Sequence, residues 1–244
     1  MDGSWHDAAE GLETHKNAVI FRLVITIAAV LYVVMQFMSK SGGGAGPGAF
    51  ALILGTAELL ATFMGIAGVA RFAGRAPGGV SSGAGFATIC LIGVACAEVW
   101  SVWITFRVIQ ATSNPSGTSD IWDLIKQAER LPYIQMAAGI AGMIAILVVL
   151  GSITSVARAL NDSTLAGRAR GMMIAVVVLG VAYGFVQRWL ASGRVGDSAI
   201  GVLAMLAVYG LVVLFGYIGV LGAAATAMRS GPGPSPLPVA EIVP

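Results

Sequence analysis

Two glutamates stand where carboxylates are rare. Glu58 interrupts the apolar stretch "LILGTAELLATFMG", and Glu98 interrupts "LIGVACAEVWSVWI". Each lies within a residue or two of the middle of a run long enough to cross a bilayer. An ionised acid at the bilayer midplane costs several kcal/mol, so such a group keeps a proton or finds a cationic partner. The chemistry open to it is the passage of protons or small cations. Arg22 is the nearest intramembrane cation, about six residues into the first apolar run. Its long side chain can bridge the remaining ~8 Å of depth to Glu58. Arg188 lies nearer the outer end of its run and can snorkel to water.

Helical spacing gives both acids an inward orientation. Ala51, Gly55, Ala61, Thr62 and Gly65 share the side of Glu58, whereas Leu52, Leu60, Phe63 and Met64 point elsewhere. Ala87, Val94, Ala95, Ser101 and Thr105 share the side of Glu98, with Trp100 and Trp103 opposite. Small, weakly polar faces are where a neighbouring helix packs closely. The expected polar intramembrane site is therefore Glu58, Glu98, Arg22, Thr62 and Ser101. Two carboxylates sharing such a site cannot both ionise cheaply unless Arg22 compensates them.

The elements that must hold these residues follow from composition. Of 244 residues, 57% are hydrophobic and only 11% charged, with a mean hydropathy of +0.86. A soluble domain carries roughly a quarter charged residues. The expected fold is an all-α, polytopic membrane bundle of six transmembrane helices, over residues 17–38, 49–70, 86–107, 136–157, 172–192 and 199–220. A polar segment, 1–16, precedes the transmembrane domain 17–229, and a Pro-rich tail, 230–244, follows it. A sixteen-residue polar segment ahead of a long first run argues for a retained helix rather than a cleaved leader. Between helices three and four, "SDIWDLIKQAERL" repeats Ile121, Leu124, Ile125 and Ala128 at helical spacing, which predicts a short amphipathic helix on the membrane surface or over a cavity.

Gly55, Gly65, Gly180, Gly184 and Gly219 are the positions expected to admit close helix packing. Shifting the chain by 87 residues lays "GIAGVAR" over "SITSVAR" and Gly55 over Gly142. In that register Glu58 falls on Ala145 and Glu98 on Phe185, so the second hairpin has no equivalent acids.

Orientation follows from the cations. With both termini in the cytoplasm, Lys16, Arg22, Arg71, Arg75, Arg158, Arg168, Arg170 and Arg229 face inward, against six outside. Arginine outnumbers lysine eleven to three against an Ala, Gly and Val background, which fits a GC-rich bacterial source and its cell membrane.

Absences bound the function. His6 and His15 fall in the polar N-terminal segment, outside the bundle, and no HExxH, GxSxG or nucleotide-binding loop is present. Cys90 and Cys96, six apart, point to different sides of one helix and are not expected to pair. No catalytic residue, metal or cofactor is expected. A net charge of +2 without a basic cluster argues against nucleic acid. The expected partners are the lipid bilayer, a second copy or a membrane protein complex. Two functions remain: a small channel or proton- or cation-coupled transporter, and a non-catalytic structural or assembly subunit that uses its acids only as interhelical hydrogen bonds.

Overall fold

The computed structural model describes residues 2–38, 47–76, 81–113, 124, 126–127, 129–191 and 198–231. Six helices account for nearly all of them: α1 Asp2–Met38, α2 Pro47–Arg75, α3 Ser81–Ser113, α4 Leu131–Ala159, α5 Ser163–Ala191 and α6 Ser198–Ser230. No strand occurs among the described residues. All six contain apolar windows long enough to span a bilayer, because in lipid the backbone must satisfy its hydrogen bonds within each segment. Each helix overruns its expected apolar span. The Pro-rich tail and most of the expected amphipathic helix lie outside the described residues; of the latter, Leu124, Lys126 and Gln127 are helical.

Consecutive helices pack side by side and antiparallel, and α6 returns against α1, so the six form a closed ring, with α4 also touching α6. Their polar side chains look after themselves. Thr26, Thr56, Thr88, Ser152, Thr154 and Thr226 each donate a hydroxyl to the carbonyl four residues earlier, at 2.8–3.0 Å, as expected where no water competes.

The one fully described connection shows how a helix is stopped. Asn161 adopts φ 57° after α4, a left-handed conformation that asparagine tolerates. The Asp162 amide returns to the Ala157 carbonyl at 2.8 Å. Asp162 Oδ1 then accepts from the Leu165 amide at 2.9 Å and caps α5.

The core is concentrated at the end of the ring that carries the start of α1 and the close of α6. Leu12, Phe72, Leu150, Ile153, Val156, Leu221 and Ala224 are fully buried there. Residues 2–16 thus differ from the expected polar lead-in: they continue α1, and Ala8, Ala9 and Leu12 are completely covered. Their charges pair with neighbouring helices. Arg71 bridges Asp7 and Glu10, Arg75 meets Asp7 at 3.8 Å, and Arg229 pairs with Glu13. These contacts are partly exposed and each contributes little.

At the opposite end the helices are poorly covered. Within residues 201–208 of α6, only Leu206 is not exposed. Exposure on nearly every side, rather than along one lipid-facing stripe, means that this stretch is little covered by the described residues of the bundle.

Candidate functional site within the helix bundle

Arg22, Thr62, Glu58 and Glu98 come together from three helices. Arg22 lies on α1 about 9 Å beyond Lys16 along the helix axis, in its apolar half. Its Nη2 forms an ion pair with Glu98 Oε1 on α3. Its Nη1 donates a long hydrogen bond of 3.4 Å to Thr62 Oγ1 on α2, and that hydroxyl donates to the Glu58 carbonyl at 3.1 Å. Thr62 is 3% exposed, and the Glu98 side chain 12%. The second carboxylate oxygen of Glu98 is buried without a hydrogen-bond partner among the described residues.

Glu58 is half-buried beside this pair. Both Arg22 and Glu98 lie within electrostatic reach of it. Its carboxylate makes no hydrogen bond or ion pair among the described residues. The sequence suggested Arg22 as the partner of Glu58; in the structure Glu98 holds the guanidinium. The trio therefore contains two acids and one base, a combination that carries one excess negative charge when all are ionised.

The expected faces are reproduced in part: Ala51, on the side of Glu58, is exposed, and Leu52 and Met64, on the other, are half-buried. Ala61, Ala87, Val94 and Ala95 are buried, whereas Leu60, Phe63, Trp100 and Trp103 are exposed. Ser101 is the expected site residue that the structure does not bring in. Its hydroxyl donates to the Ala97 carbonyl at 3.0 Å and makes no hydrogen bond to the three charged groups among the described residues.

The packing glycines divide. Gly65 faces His15 and Ala18, a Cβ on Gly55 would stand 3.0 Å from Val102 Cγ2, and Gly180 receives the Met143 thioether. Gly184 and Gly219, also expected to admit close packing, meet no neighbour within the chain: a Cβ on either finds nothing within 4 Å among the described residues. They lie on faces turned away from neighbouring helices. The closest backbone approach involves two glycines not singled out above. A Cβ on Gly11 would be 2.6 Å from the Phe72 amide nitrogen, and one on Gly68 would be 2.5 Å from that of His15. Only glycine allows α1 and α2 to cross at that distance.

That crossing buries a histidine expected to lie outside the bundle. His15 is 6% exposed, with Nε2 2.9 Å from the Tyr217 hydroxyl on α6 and Nδ1 3.3 Å from the Gly65 carbonyl on α2. A carbonyl only accepts, so Nδ1 carries the proton and Nε2 accepts from the phenol. Counting back seven residues from Arg22, two helical turns on the same face, reaches His15; that is the signal by which the sequence discloses it. Among the described residues no cluster of His, Cys, Asp and Glu has the makings of a metal site. Cys90 and Cys96 are both free thiols.

Two shallow depressions mark the surface. One, of about 580 Å³, is apolar and lies over Ile53, Leu60 and Phe63 on α2; the other lies at the α4–α5 turn. Neither is lined by Arg22, Glu58 or Glu98.

Six apolar spanning helices make the chain a multi-pass integral membrane protein. No protein-family model, curated protein or solved structure matches it.

Proposed function

We propose that the protein moves protons or a small cation across the membrane, with Glu58 as the group that takes up and releases the charge. The observation that carries this reading is the unequal charge count of the mid-bundle trio. Glu98 is neutralised by Arg22, and no second cation neutralises Glu58 among the described residues. In an apolar surrounding the remaining negative charge favours capture of a proton or cation from water. The Arg22–Glu98 pair acts as a fixed counter-charge that sets the field at Glu58. Reconstitution into proteoliposomes with an imposed pH gradient and an internal pH-sensitive dye tests the reading. Wild-type protein dissipates the gradient faster than empty vesicles, and a rate equal to that of empty vesicles contradicts proton movement.

A specific observation favours a second role, as a non-catalytic structural or assembly subunit of a larger membrane complex. Residues 201–208 of α6 are exposed nearly all round, more than a lipid-facing stripe requires. On this reading the protein co-purifies in mild detergent as a complex larger than one chain, and the acids serve only to hold helices together.

A further inference from the structure

The cations at the terminus-bearing end of the bundle fall into two groups. Lys16, Arg71, Arg75 and Arg229 each meet a carboxylate of α1. Arg158, Arg168 and Arg170, around the α4–α5 turn, are exposed and form no ion pair among the described residues. Arg158 and Arg170 line an open depression of about 390 Å³, together with Asn161, Asp162, Ser163 and Gly167. The lone acid of that lining is already engaged, because Asp162 Oδ1 caps the Leu165 amide at 2.9 Å. Two guanidiniums, a hydroxyl, an amide and the capping Asp162 carboxylate thus line one concavity, whose charge balance remains positive. A tight turn builds it, with its geometry fixed by the left-handed Asn161 and the Asp162 cap.

We propose that this depression binds a phosphate group, with Arg158 and Arg170 as the charge partners and Asn161 and Ser163 as additional hydrogen-bonding groups. Guanidinium matches phosphate oxygens in a planar, two-pronged geometry and is the side chain best suited to that ligand. A helix–helix turn at the end of a spanning bundle lies at headgroup depth, where the phosphate of an anionic phospholipid is available. A water-soluble phosphate presents the same chemistry, so the two sources must be distinguished by experiment. The site lies on the α4–α5 side of the bundle and is independent of Glu58 and its role.

Native mass spectrometry of the purified protein in detergent separates the cases, using three probes: short-chain phosphatidylglycerol, phosphatidylcholine as the zwitterionic reference, and inorganic phosphate. The expected result is saturable binding of phosphatidylglycerol or inorganic phosphate in preference to phosphatidylcholine. The double variant Arg158→Gln/Arg170→Gln should weaken it about tenfold, while Arg188→Gln, at the far end of α5, leaves it unchanged. Tighter binding of phosphatidylglycerol than of inorganic phosphate assigns the site to a lipid headgroup, and the reverse assigns it to a soluble phosphate. The proposal is overturned if neither anion binds wild type in preference to phosphatidylcholine, if the double variant binds like wild type, or if Arg188→Gln weakens binding as much. The wild-type titration decides the matter even if the double variant fails to fold.

Discussion

His15 and Tyr217 are 202 residues apart in the chain and 2.9 Å apart in the fold, joining the first helix to the last. The bond closes the ring of six, and both partners are almost wholly covered. Tyr217→Phe removes the hydroxyl and leaves His15 Nε2 buried without a donor, a loss expected to cost roughly 1–2 kcal/mol. Thermal unfolding of Tyr217→Phe, His15→Ala and the double variant in detergent measures it. The double variant should lose less than the sum of the singles by about 1 kcal/mol. Strict additivity would mean that the two side chains contribute separately.

The α1–α2 crossing gives a sharper contrast among glycines. Gly11→Ala and Gly68→Ala each push a Cβ into the backbone of the facing helix, so each should destabilise by roughly 1–3 kcal/mol and lower the yield of folded protein. Gly184→Ala and Gly219→Ala meet open space and should leave the midpoint of unfolding unchanged. Thermal scans of the four variants side by side check both halves of this expectation.

Removing one member of the ion pair exposes the cost of the other. Arg22→Gln leaves Glu98 buried without its cation, with an expected penalty of about 1–3 kcal/mol. Adding Glu98→Gln to that background should restore much of the loss, because two neutral amides replace an uncompensated charge. The comparison is read from thermal unfolding; failure of the second change to rescue the first would show that Arg22 matters for packing rather than for charge.

Orientation is testable by impermeant thiol labelling in a background lacking Cys90 and Cys96. Cysteines placed at Arg75 and Arg168 should be protected in intact cells and labelled after permeabilisation, and one placed at Arg130 should label from outside. Labelling of positions 75 and 168 in intact cells would invert the assignment.

The sequence disclosed what periodicity encodes. Apolar length located six helices, and the small residues sharing a side with Glu58 and Glu98 predicted that both acids face inward. It gave Arg22 to Glu58 where the structure gives it to Glu98, because depth along a helix is readable from residue number whereas the rotation of three helices about one another is not. The polar composition of residues 2–16 concealed an inward face of Ala8, Gly11, Leu12 and His15. Four non-polar or pairing side chains at helical spacing carry little weight in a hydropathy average. Gly184 and Gly219 show the converse, since small residues permit close approach without requiring it.

On the proposed function, Glu58 carries the mobile charge while Glu98 is held by Arg22. The most direct measurement is the rate of proton entry into proteoliposomes bearing wild type, Glu58→Gln or Glu58→Asp, each confirmed to be folded by its thermal transition. Glutamine keeps the shape and hydrogen-bonding capacity of the side chain but cannot titrate, so Glu58→Gln should reduce flux to the level of empty vesicles, and Glu58→Asp should retain a measurable part of it. Flux through folded Glu58→Gln at the wild-type rate would contradict the account.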